Sequence, residues 1–181
     1  MHITEKVRAY AGLASRARRN RFDLSRQIVR RPGIAIGLGT YEVGLFASAR
    51  LDNRLKTLAS IKTSSMIGCE FCMDLASSMG PALGIGEAEL RGLSSYRDSP
   101  LFTDREKLAI ELAEAMSRTP AIVDDDVRAR VVAAFTPAEL VELVAEVAWE
   151  NHRARLNLAL GVRPMGFSDG AFCVRPEPLS S

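Results

Sequence analysis

The sequence is poor in the residues that staple or span. It has 3 cysteines, 1 tryptophan and 2 histidines in 181 residues, and aromatics make up 6% of the chain. Three thiols cannot build the disulfide framework of a small secreted domain, so a close pair among them is a chemical feature and not a covalent staple. No stretch reaches the roughly 20 charge-free apolar residues that a spanning helix needs. The nearest approach, residues 32–49, carries Glu42 in its middle and is read as a buried core helix. His2 to Arg19 has no continuous apolar segment, so no signal peptide is expected and the protein is placed in the cytoplasm. With 47% hydrophobic residues and 25% charged, the chain is one ordinary domain, long enough to bury roughly 70% of its unfolded surface. Disorder and collagen-like repeats are excluded by the same figures.

Charge of one sign is also lacking overall, with 24 basic side chains against 22 acidic and a net charge of +2. The balance is uneven along the chain. Residues 1–31 hold nine Lys and Arg against Glu5 and Asp23, which makes a basic N-terminal helical arm. Such an arm can touch nucleic acid or an anionic membrane. A solvated face paired with the acidic body or with another subunit is the simpler reading, so neither nucleic acid nor membrane is an expected partner.

Alternating β-branched runs with Asn-Gly turns are absent, and the apolar residues recur at helical spacing nearly throughout. An all-α fold is expected, as a single domain over 1–181 ending in an irregular tail at 161–181. Two Thr-x-x-Glu capping boxes mark helix starts, Thr103 with Glu106 and Thr136 with Glu139, and Pro137 suits the first helical position. The first helix carries Leu108, Leu112, Ala115 and Met116 and ends by Pro120. The second runs to about Leu160 and stops at Gly161. Its apolar side is read as Leu140, Leu143, Val144, Val147, Ala148 and Leu158, with Glu139, Glu142, Glu146, Glu150, Arg153 and Asn157 in a narrow polar arc. A shorter helix over 124–135 lies between them. Earlier helices are expected at 3–19, 23–30, 33–49, 53–67, 69–80 and 87–94.

The singular motif is Cys69-Glu-Phe-Cys72, directly after Gly68. Gly68 interrupts the preceding helix, which puts Cys69 at the entrance of the next and Cys72 one turn on. Amide donors and the macrodipole there favour thiolate over thiol, and two sulfurs at this spacing can form and release a disulfide. The alternatives are half a zinc site or two small buried hydrophobes. Zinc wants four ligands, and beyond the pair the chain offers Cys173, His2 and His152. Haem attachment needs His after Cys72, where Met73 stands, and no βαβ pattern supports a thioredoxin. No metal or organic cofactor is expected.

The segment from Leu55 to Cys72, followed by the helix after Phe102 and the one from Leu140 to Asn157, resembles the carboxymuconolactone decarboxylase and alkylhydroperoxidase D-like family over about residues 35–160. The resemblance implies a helical hairpin carrying the cysteine pair, assembly into trimers or hexamers, and, in the peroxidase branch, hydroperoxide reduction by the dithiol. It makes Cys72 the attacking thiolate and Cys69 the resolving thiol, whereas helix-end electrostatics alone favours Cys69. The branch's two relay positions, a Glu and a His, are held here by Thr57 and Ala76. A divergent subgroup would draw its proton elsewhere.

Glu150 and His152 are the late-helix candidates, histidine being the residue type that titrates nearest neutrality. Two residues apart on a helix, they point different ways. His152 can equally be a surface or interface residue, and Glu150 a partner of Arg153. Asp74 joins the candidates from its place just behind the pair, although Asp74 and Ser77 more commonly stabilise a helix start. Lys62 is read as snorkelling to solvent, and Cys173 as a lone thiol. The leading reading is a homo-oligomeric thiol-disulfide oxidoreductase that acts on a hydroperoxide or a disulfide partner and is regenerated by a separate thiol or protein reductant. The rivals are a decarboxylase-like enzyme acting on a small lactone carboxylate, using Glu150, His152, Arg153 and Arg155, and a non-catalytic helical oligomer.

Overall fold

The computed structural model describes residues 27–177 together with Thr4, Val7 and Ala11. The expected helices over 3–19 and 23–30, and with them most of the basic arm, lie outside these residues. The described residues form seven α-helices and no strand: α1 (Pro32–Ala47), α2 (Asn53–Ile67), α3 (Glu70–Met79), α4 (Glu87–Gly92), α5 (Asp104–Ser117), α6 (Asp125–Ala134) and α7 (Pro137–Ala159).

Their ends are fixed by the residues that the sequence puts there. The Asp52 carboxylate accepts from the Arg54 amide at the start of α2, and Asp124 accepts from Val127 at the start of α6. Both Thr-Glu capping boxes close, at α5 and at α7. Gly68 takes φ +80°, a left-handed conformation that costs glycine least, and the amides of Gly68 and Cys69 both donate to the Ser64 carbonyl. The chain thereby reverses in two residues, so that α2 and α3 form a hairpin with the cysteine pair at its bend.

α2 lies at the centre, against α5, α7 and α3. On one side Leu55 and Ala59 meet Leu112, Ala113, Leu143 and Val147. On the other, Leu58 and Ile61 meet Met73, Tyr96 and Ile110. Ala59, Ala109 and Ala113 are fully buried, and their small side chains let α2 and α5 pack close.

Three expectations are corrected here. The apolar stretch 32–49 is not a core helix: α1 buries only Leu45, and Ile34, Ile36 and Val43 face solvent. It leans on α7, where Trp149 donates to Glu42 at 2.8 Å and stacks on Tyr41. On α7 Leu143 and Val147 are buried as expected, but much of the polar arc points inward, with Glu142, Glu150 and Asn157 buried while Val144, Ala148 and Leu158 are exposed. Its partners are polar groups of α2, described below. Lys62 does not snorkel, being 2% exposed and paired with Glu177 at 2.6 Å.

That last pair belongs to the tail after α7, which packs on the body. The Asp74 carboxylate accepts from the amides of Met165, Phe167 and Ser168 and from the Ser168 hydroxyl. Farther on, Val174 donates to the Ser77 hydroxyl and Glu177 to the Ser65 carbonyl. No helix among the described residues is long and apolar enough to cross a membrane.

Candidate active site

Cys69 and Cys72 are joined by a disulfide, with their Cα atoms 5.3 Å apart. Cys69 is the N-cap of α3, and its sulfur accepts from the Cys72 amide at 3.2 Å. The second donor comes from α7, where Asn157 Nδ2 lies 3.4 Å from Cys72 Sγ and 4.0 Å from Cys69 Sγ. A disulfide sulfur only accepts, so this orientation of the amide is the one that the sulfurs can use.

The two sulfurs differ in access. Cys69 is sealed among Phe71, Ala154 and Phe167. Cys72 lines a cavity of about 550 Å³ between α1, α2, α3 and α7. Most of its wall is apolar, including Leu38, Phe46, Phe71, Leu75, Met79 and Leu156. Thr57 and Ala76, the two relay positions, line it as well. Neither can hold or give a proton near neutral pH.

The titratable groups that line the cavity are Glu42 of α1, Lys56 of α2, and Glu146, Glu150 and Arg153 from the inward arc of α7. Lys56 is bound to Glu142, Ser60 donates to Glu146 at 3.0 Å, and Ser64 donates to Glu150 at 2.6 Å. The three contacts step together along both helices, so α2 and α7 run in the same direction in register. The ladder continues into Asn157 and the sulfurs. Arg153 binds Glu42 through Nη1 at 2.8 Å and Glu150 through Nε at 3.0 Å, and it also reaches Glu146.

Burial is the main influence on Glu150 and pushes its carboxyl above the usual range, against the pull of Arg153 and Ser64. The hydrogen bonds accommodate the acid form as well as the ionised one. Ser64 has one hydroxyl proton and lies within reach of both the Ser60 carbonyl and Glu150. A protonated Glu150 can donate to Ser64 while Ser64 donates to the carbonyl, and Arg153 keeps an acceptor on the other carboxyl oxygen. Glu142 goes the other way. Burial would raise it, but Lys56 and the amides of Arg50 and Leu51 hold it below the usual carboxylate range.

Of the residues singled out in the sequence, Cys72 and Glu150 line the cavity and Cys69 lies behind them. His152 is exposed and stacks on Trp149, with ring centroids 5.0 Å apart. Asp74 belongs to the opposite side of α3, where it holds the tail. That side borders a second cavity of about 720 Å³, lined by Asp74, Arg91, Phe172 and the free Cys173 and by neither sulfur of the pair. Asn157 was not a candidate from the sequence. The available signal was its membership in the same polar arc as Glu150 and Arg153. Among the described residues no group of three His, Cys, Asp or Glu is placed to hold a metal ion.

No protein-family model matches the chain. YnjA of Escherichia coli, an uncharacterised protein, is 41% identical over 131 residues, which cover 72% of this chain and 69% of YnjA. Among solved structures, the debrominase Bmp8 superposes with a TM-score of 0.70 at 20% identity, covering 76% of this chain and 74% of Bmp8. An AhpD-type protein of unknown function from Agrobacterium tumefaciens gives 0.67 at 21% identity, over 76% of this chain and 94% of that one. The fold is therefore the alkylhydroperoxidase D-like helical bundle.

Proposed function

We propose that this chain, which belongs to the family of Escherichia coli YnjA, is a thiol peroxidase in which Cys72 and Cys69 reduce an organic hydroperoxide. The observation that carries the reading is the disulfide at the entrance of α3 with only Cys72 on the cavity. Access decides which sulfur attacks. A helix end favours thiolate at Cys69, but Cys69 is sealed, and the Asn157 amide that donates to Cys72 Sγ in the disulfide is placed to hold its thiolate after reduction.

In the reaction the Cys72 thiolate attacks the terminal oxygen of R–O–OH. The O–O bond breaks, Cys72 becomes the sulfenic acid, and the alkoxide leaves and takes a proton to become ROH. Cys69 then displaces hydroxide from the Cys72 sulfenic acid, with proton transfer giving water and the disulfide. The two thiols lose two electrons, and the peroxide gains two. A separate dithiol or protein reductant, attacking through the cavity at Cys72, restores the pair. Glu150 is the proton donor to the alkoxide: it lines the same cavity, its acid form is favoured by burial, and neither Thr57 nor Ala76 can serve.

A lactone-carboxylate substrate finds no anchor, because Arg153 is bound to Glu42 and Glu150 and Lys56 to Glu142. Bmp8 is a debrominase, and a Bmp8 variant is known in complex with 2,3,4-tribromopyrrole, which makes a halogenated ring the rival oxidant for the same two electrons. Thiol counting on the reduced protein tests the reading. One equivalent of cumene hydroperoxide should remove two thiols and yield one equivalent of alcohol. Retention of both thiols, or thiol loss only with bromide release from a bromopyrrole, contradicts it.

A further inference from the structure

The amide of Asn157 has two ends, and the sulfurs occupy only one. Nδ2 faces Cys72 and Cys69, as described. Oδ1 is buried and meets no hydrogen-bond donor among the described residues, although Asn157 is only 3% exposed. A buried amide oxygen left unbonded is costly, so such an atom in a native site points to a partner that arrives from outside. Asn157 is among the residues that line the cavity of Cys72. Turning the amide over would not help, since its oxygen would then face two sulfur acceptors.

The walls and charges say what the partner is. The cavity is largely apolar, so the body of the molecule is hydrocarbon or aromatic. Its cations are taken: Arg153 binds Glu42 and Glu150, and Lys56 binds Glu142 and the Ser48 carbonyl. With Glu146, four carboxyl groups stand against these two cations, and they outnumber them even when Glu150 is protonated. A carboxylate-bearing molecule would lose its hydration and gain no countercharge.

The geometry points to Asn157 as the residue that reads the substrate: its Oδ1 accepts the terminal O–H of an uncharged organic hydroperoxide while its Nδ2 holds the Cys72 sulfur. This rests on the thiol-peroxidase reading. One side chain then sets the nucleophile and the oxygen it attacks side by side, which is the positioning that a displacement at oxygen requires. The product alcohol keeps an O–H donor and can occupy the same place.

Binding to the oxidised protein tests the inference without turnover. The probes are 2-phenylpropan-2-ol, its isostere tert-butylbenzene, and 2-hydroxy-2-phenylpropanoate, titrated calorimetrically against wild type, Asn157→Leu, Asn157→Ala and Asn157→Asp. Loss of one neutral hydrogen bond should weaken the alcohol about five- to tenfold in Asn157→Leu and in Asn157→Ala. In Asn157→Leu, tert-butylbenzene should stay within about twofold, and Asn157→Asp, which keeps an acceptor, should retain the alcohol. The carboxylate should bind wild type at least about tenfold more weakly than the alcohol. Equal losses for alcohol and isostere, no loss for either, or no binding of the alcohol to wild type would overturn the assignment, and carboxylate binding equal to that of the alcohol would overturn the uncharged class. Thiol counting with cumene hydroperoxide separates the two failures. Thiols consumed without ligand discrimination sink this inference alone, whereas discrimination with thiols retained sinks the peroxidase reading and the hydroperoxide with it, and leaves Asn157 only as the acceptor for an uncharged hydroxyl ligand.

Discussion

Asp74 and Glu150 are both buried carboxyls, and their neighbours move them in opposite directions. Burial would raise Asp74, but the Ser168 hydroxyl and the amides of Ser168, Phe167 and Met165 outweigh it and hold the group below its usual range. A carboxyl depressed on folding contributes stability that is present above its unfolded value of about 3.9 and is lost as pH falls through the folded one. Asp74→Asn should destabilise the protein by about 2 kcal/mol at neutral pH in urea unfolding and flatten the acid limb of stability. Unchanged stability would mean that the tail is held elsewhere. Glu150 is raised, so its acid form persists at pH values where an exposed glutamate has ionised. The rate of disulfide formation should fall as pH rises through that raised value. Glu150→Gln should remove this limb and slow the reaction by about 100-fold or more. His152→Ala, by contrast, should leave the rate within about twofold, a ratio read by the same stopped-flow thiol assay.

At the level of helices, boundaries were legible because caps are local. Thr103, Thr136, Gly68 and Asp124 end or begin helices where the sequence places them. The direction in which α7 faces was not legible. Periodicity groups Glu142, Glu146, Glu150 and Asn157 on one side, but it does not say whether that side meets water or another polar helix. The missing half lay on α2, where Lys56, Ser60 and Ser64 repeat every four residues and pair with the glutamates in register. A buried polar ladder overrides the default that charges lie outside. For the same reason Lys56→Met should be costly, by about 3 kcal/mol or more, because it leaves Glu142 buried without its cation. The double variant Lys56→Met with Glu142→Leu should recover much of that loss in thermal unfolding, and failure to recover would deny the pairing.

Across the whole molecule, the helix break at Gly68 with Cys69 at the next entrance was readable from the residues, and the hairpin from the family resemblance, whereas the cavity was not. It is assembled from four helices, and α1 forms its outer wall although its apolar residues suggested core. Ile34, Ile36 and Val43 on that wall remain open to water, a face that an expected homo-oligomer would cover. Light scattering should accordingly give a mass that is a multiple of 19.7 kDa. A monomeric mass would contradict it. The central claim is more specific, that hydroperoxide meets the protein at the cavity-facing sulfur. Its most direct measurement is the site of sulfenic acid trapping by dimedone, located by peptide mass spectrometry after one equivalent of cumene hydroperoxide. The account predicts an adduct on Cys72 in the Cys69→Ser protein and none on Cys69 in the Cys72→Ser protein. An adduct on Cys69, with Cys72 unmodified when alone, would contradict it.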